Sequence, residues 1–294
     1  MVDWRYQSWR LQVLESSQGL KPGTRIGRYG AKASRGFLRA PITLLFVGIL
    51  ALVIIAHLYP RHLVGLASHL VPKVLFSFST TRKLVALTFN DAPNPASTPA
   101  ILNILAEHNV KATFFIVGKY SQQFPQLVDD IIQGGHELGS HMWEEKPSHK
   151  LGPERFERQL QQMDDMIQSH SPRLGVAKWF RPRPGWVDKW MFPILERKNY
   201  HAVLGSMYAH DKHVNSWKAV ARLLRAQVHP GGILILHDGG SSRNQTALVL
   251  TALLGDLKKQ GYRAMTLSNL FQESGEYHPE REIRPNSIVR VQSG

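Results

Sequence analysis

From Leu84 onward, apolar and polar positions follow two periods. Short β-rich apolar runs recur: LVALTF, KATFFIV, HELGS, AKWFRP, HAVLGS, GGILILHDG and YRAMTL. The stretches between them carry apolar residues at helical spacing. TPAILNILAEHN places Ile101, Ile104 and Leu105 on one helical face. FPQLVDDIIQGG, PERFERQLQQMDDMIQSH, SWKAVARLLRAQV and QTALVLTALLGDLKKQG read the same way, as does VDKWMFPILERKN despite Pro193. Repeated β-α alternation predicts an α/β fold with a parallel sheet and helices outside it. About seven units predict a distorted, TIM-like (β/α) barrel, with its chemistry at the C-terminal ends of the strands.

A different pattern precedes this one. PITLLFVGILALVIIAHLY, residues 41–59, is almost wholly apolar, with His57 its one ionisable residue. Eighteen helical residues at ~1.5 Å each span about 27 Å, enough for a thin bilayer. No small-residue cleavage pattern follows, so the run predicts a transmembrane signal anchor rather than a removed leader. The basic residues Arg5, Arg10, Lys21, Arg25, Arg28, Lys32, Arg35 and Arg39 crowd before it, against Asp3 and Glu15. The positive-inside rule then predicts a single-pass protein with a cytoplasmic N-terminus and a lumenal or extracellular domain. The expected organisation is a basic tail over 1–40, the span over 41–59, a stem over 60–81, a catalytic barrel over 82–270 and a C-terminal tail over 271–294. The triplet NQT at Asn244 is a possible glycosylation acceptor.

Composition changes this picture little. A hydrophobic fraction of 43% suits a chain that buries a core. The net charge of +14 sits largely in the tail. No nucleic-acid-binding motif accompanies it, and no nucleic-acid partner is expected. The absence of cysteine excludes disulfides, thiol nucleophiles and thiolate metal sites.

Polar residues collect at the predicted strand ends. The first ends in Asn90-Asp91 and the third in Ser140-His141, followed by Glu144, Glu145 and His149. The fourth leads into Arg181, the fifth is followed by His210, Asp211 and His213, and the sixth ends in His237-Asp238. Taken singly, each has a plain reading as a turn, cap or surface residue. Together, in one register, imidazole and carboxylate suit a borderline divalent ion such as zinc, whose open position would hold an activated water.

These residues resemble the polysaccharide deacetylases of the NodB-homology type, over roughly Arg82 to Leu270. TFNDAP, HELGSHMWEE, FRPRPGW, VLGSMYAHD and ILILHDG match five family stretches in order. The resemblance implies a distorted barrel that removes acetyl groups from N-acetylglucosamine polymers, and a divalent metal ion, zinc or another first-row ion. It implies Asp91 and His141 as metal ligands. Glu145 stands where the family has a second histidine, and His149 is the other candidate for that ligand. It implies His237 as the acid that protonates the leaving amine, with Asp211 to orient it, and Arg181 as partner of the base. Leu236 resembles the residue lining the acetyl pocket, and Trp186 and Tyr208 are expected substrate contacts. The base position holds Asn90. An amide cannot carry a proton as a carboxylate can, although it can orient water or a substrate group; Glu144 or Glu145 is a possible substitute base. Two functions follow: a membrane-anchored, metal-dependent carbohydrate deacetylase impaired at its base, or an inactive relative that binds glycan or serves as a scaffold.

Overall fold

The structure, a computed structural model, describes residues 43–49, 73–170, 177–209, 211, 214, 216–239 and 245–275. The chain divides into two units, Met1–Leu50 and Ala51–Gly294. In the first, residues 43–49 are helical, and Leu44, Leu45, Phe46, Val47 and Ile49 are exposed. The rest of the expected span lies outside the described residues, and among the described residues no helix is long and apolar enough to cross a membrane. The basic tail 1–40, most of the stem 60–81, His210, His213 and Asn244 also lie outside them.

Among its described residues the second unit contains eight strands: β1 (Val74–Leu75), β2 (Leu84–Ala92), β3 (Thr113–Ile116), β4 (Glu137–Ser140), β5 (Lys178–Phe180), β6 (Tyr200–Val203), β7 (Ile233–His237) and β8 (Arg263–Met265). Its helices are α1 (Thr98–Glu107), α2 (Gly118–Gln123), α3 (Pro125–Gln133), α4 (Pro153–His170), α5 (Met191–Arg197), α6 (Trp217–Gln227), α7 (Gln245–Lys259) and α8 (Leu267–Ser274). The strands pair in the order β1-β6-β5-β4-β3-β2-β7, with β8 on β2, and every ladder is parallel. Isolated bridges Ser77↔Gly232 and Met207↔Leu234 bring the two ends of the path together. The expected parallel α/β sheet is therefore present, with closure through single bridges rather than a full ladder. Val74–Leu75, within the expected stem, instead forms the strand that pairs with β6.

The sequence explains the layering. All nine residues of β2 are buried, as a strand covered on both faces requires. Val85, Leu87 and Phe89 pack outward with Leu234 and Leu236 of β7 and with Leu250, Leu253 and Leu254 of α7. Leu84 and Ala86, from the alternate positions, join Phe115, Trp179 and Ile233. Helix α8 packs Leu267, Leu270 and Phe271 onto this second cluster. Each such side chain stabilises the fold by about 1.5–3 kcal/mol when fully buried. α8 begins where the Thr266 hydroxyl accepts from the Asn269 amide and ends at Gly275, φ 81°. Helix α4 shows why a strongly charged segment is still a helix of the core. Phe156, Leu160, Met163 and Ile167 fall three or four apart and are buried.

Candidate active site at the C-terminal strand ends

The site is built on a bulge in β2. Pairing with β3 runs Asn90↔Phe115 and then Ala92↔Ile116, so Asp91 is the extra residue, held at φ 63°. In a regular strand, neighbours point to opposite faces. The bulge re-aims Asp91, so that Asn90 and Asp91 both meet site residues. Left-handed backbone at a non-glycine residue is strained, and such positions concentrate at functional sites.

Asn90 lies between an arginine and a histidine. Its Oδ1 accepts from Arg181 Nη1 at 2.9 Å, and its Nδ2 lies 3.5 Å from His237 Nε2. Arg181 Nη1 also donates to Thr88 Oγ1 at 2.7 Å, its Nε donates to the Val203 carbonyl at 3.3 Å, and its guanidinium stacks 4.0 Å above the Phe115 ring. Its Nη2 is buried with no hydrogen-bond partner. Burial pushes this cation down to about 9. A carboxylate at position 90 offers two oxygens to the two Nη groups, whereas the amide offers one.

His237 ends β7. Its Nδ1 donates to Asp211 Oδ1 at 2.7 Å, and its backbone amide donates to Asp211 Oδ2 at 2.8 Å. One carboxylate oxygen therefore holds the imidazole and the other its backbone, leaving Nε2 toward Asn90. Tyr208 stands edge-on to His237, with ring centroids 5.9 Å apart. Beside it, buried Asp238 accepts from Ser97 Oγ at 2.6 Å and Thr98 Oγ1 at 2.5 Å, tying the segment after β2 to the end of β7. Burial pushes the Asp238 carboxyl up to about 7.

His141 follows β4. Its Nδ1 donates to the Arg181 carbonyl at 2.7 Å, which presents a neutral Nε2 3.5 Å from Asp91 Oδ1. Burial pushes this imidazole down to about 3, against the pull of the Asp91 carboxylate. Asp91 Oδ1 also lies 2.7 Å from Arg183 Nη2, and the same Nη2 donates to Glu145 Oε1 at 3.1 Å. Glu145 is 56% exposed and lies beside the Tyr120 hydroxyl. Burial and this carboxylate push Tyr120 up to about 12.

These donors do not fit a divalent ion as they stand. Among the described residues, no three His, Asp or Glu side chains are grouped to hold one. Asp91 and His141 supply two donors, and Glu145 is turned to an arginine. His149, on the turn Ser148–Lys150, does not join them. A doubly charged ion about 4 Å from a guanidinium meets a repulsion of about 8 kcal/mol at an effective dielectric of 20, twice the value for unit charges.

The structure thus brings together Asn90, Asp91, His141, Arg181, Asp211, Tyr208 and His237. Leu236 is elsewhere. It pairs with Phe89 and packs in the outer core, because the alternation that turns His237 inward turns Leu236 out. Ile235, two residues before His237, shares the inward face. Trp186 is exposed on the loop after β5 and donates to Asp188 Oδ1 at 3.0 Å. Glu144 lies 2.8 Å from Arg155 and within 4 Å of Lys119 and Lys146, which leaves it a poor base. Thr88, Tyr120 and Arg183 escaped the sequence reading. For Arg183 the signal was present: a second arginine two residues after the first, in FRPRPG.

Known proteins share this sequence pattern and fold. The family model for polysaccharide deacetylase matches residues 78–203. A peptidoglycan-N-acetylglucosamine deacetylase of Bacillus cereus is 30% identical over 210 residues, which are 68% of this chain and 93% of that protein. A solved peptidoglycan N-acetylglucosamine deacetylase superposes with a TM-score of 0.64 at 27% identity, covering 68% of this chain and 93% of that one. A CE4 family pseudoenzyme from Bacillus anthracis superposes with a TM-score of 0.62 at 25% identity, covering 67% and 68%.

Proposed function

We propose, from the premise that this chain belongs to the polysaccharide deacetylase family, that it engages N-acetylglucosamine polymers at the strand-end site and deacetylates them slowly, lacking both a base at position 90 and, among the described residues, a donor set grouped to hold a metal ion. The family hydrolyses carbon–nitrogen bonds other than peptide bonds. The hydrogen bond from His237 Nδ1 to Asp211 supports His237 as the acid that protonates the leaving amine through Nε2. Asn90 can hold a water or the acetamido group but cannot take the proton. The one observation that carries the reading is Asn90 Oδ1 on Arg181 Nη1, with Nη2 left buried and unpartnered. Loss of a general base costs about 10²–10⁴-fold in rate. The apolar run 41–59 supports attachment to a membrane, with residues 1–40 cytoplasmic and the deacetylase unit lumenal or extracellular.

The same observation favours a second reading, a protein that binds glycan without turnover. Acetate release from chitopentaose separates the two, measured beside calorimetric binding of the same oligomer. The first reading expects binding, slow release, and release raised about 10²-fold or more in Asn90→Asp. Binding with no release from either protein selects the second. No binding to acetylated oligomers sinks both.

A further inference from the structure

We propose that the Arg183 guanidinium replaces a divalent cation in this site, so that the chain is built to work without a metal ion. The inference rests on the glycan-site reading above for its ligand, but not for its charge argument.

Arg183 is placed by its backbone, not by its side chain alone. Its amide donates to Ser148 Oγ at 3.0 Å, and its carbonyl accepts from the Ser148 amide at 2.8 Å. That pair locks the loop after β5 to the loop after β4, which carries His141 and Glu145. From there the side chain reaches the two carboxylates expected to bind metal, at 2.7 Å from Asp91 and 3.1 Å from Glu145. The Arg183 side chain is 15% exposed, against 56% for that of Glu145, so the arginine is inside the site and the second carboxylate is at its edge. A planar fork of donors suits bridging two carboxylates. It supplies positive charge where a metal would, but cannot lower the pKa of a water by coordination. Its Nη1 is buried without a hydrogen-bond partner. A buried donor without an acceptor is costly, and a ligand oxygen would relieve it. On this glycan, the acetamido carbonyl is the acceptor of the right class.

Metal content of the full chain tests the charge argument directly. Wild type, Glu145→His, Arg183→Gln and the double variant would be equilibrated with cobalt(II), desalted and assayed for bound metal and visible absorption. We expect wild type and Glu145→His to retain less than about a tenth of an equivalent, since Arg183 remains. The double variant should retain about one, with a cobalt d–d band. One equivalent on wild type overturns the proposal. So does Glu145→His binding as tightly as the double variant, or the double variant staying empty, because Arg183 is then not what excludes the ion. The ligand clause has its own readout. Chitopentaose binding should be unchanged by a chelator and at least tenfold weaker in Arg183→Gln. Binding abolished by chelation overturns the proposal. If the metal results hold while no variant binds glycan, the glycan-site reading falls and the charge argument stands.

Discussion

Asn90 differs from a carboxylate by one proton acceptor, and its surroundings register the difference. Arg181 is buried, stacked on Phe115, and has an Nη2 with no acceptor. Asn90→Asp would give it a second oxygen and a counter-charge. A hydrogen bond to a charged group contributes about 1.5–3 kcal/mol, so the melting temperature should rise by about 3–8 °C. Differential scanning calorimetry at pH 7.5 checks this, and a lower melting temperature would show that the site prefers the amide. Asp211 offers a complementary test. With both oxygens on His237, Asp211→Asn should lower acetate release at least tenfold while chitopentaose affinity stays within about threefold. An equal fall in both would make Asp211 a support for the fold rather than for the imidazole.

At the scale of elements, the helix–strand alternation was legible because each segment buries one face with its own period. HELGS, AKWFRP and ILILHDG became β4, β5 and β7, and their ends carry the expected residues. Two kinds of feature were not legible. The resemblance implies Leu236 at the acetyl pocket, but facing follows strand parity, which depends on a register that only pairing fixes. The bulge at Asp91 depends on pairing with β3, and the turn of Arg183 onto Asp91 joins residues far apart in sequence; both lie beyond any local period. A loop-packing prediction follows. A Cβ on Gly118 would stand 2.2 Å from Trp143 Cε3, and the Gly118 amide donates to the Met142 carbonyl at 3.1 Å. Gly118→Ala should therefore displace the loop after β4, with a stability loss of about 1–3 kcal/mol by urea melts. Weaker chitopentaose binding should accompany it, because that loop carries His141 and Glu145.

For the whole molecule, buried ionisable groups set the response to acid. Burial, aided by Lys111, pushes His136 down to about 4 from 6.5. Between those values the unfolded chain binds the extra proton, so stability falls as pH drops through 6.5 and levels off near 4. Asp238, raised from 3.8 to about 7, opposes this, since the fold keeps the proton that the unfolded chain has released. Urea melts from pH 4 to 8 should show His136→Gln losing less stability on acidification than wild type, by on the order of 2 kcal/mol. Asp238→Asn should lose more. The joining of the sheet's two ends has a further consequence. β2 shares long ladders with β3 and β7, while the edges beyond β1 and β7 meet through the bridges at Ser77 and Met207. The sheet resembles a clasp more than a ring. Amide exchange should be quickest along that join, at Phe78, Met207 and Ile235, whose backbone bonds cross it. The join runs into Tyr208 and Asp211, which stand with Asn90 against the imidazole of His237. Breathing of the sheet would then reach the proton donor before any other part of the site.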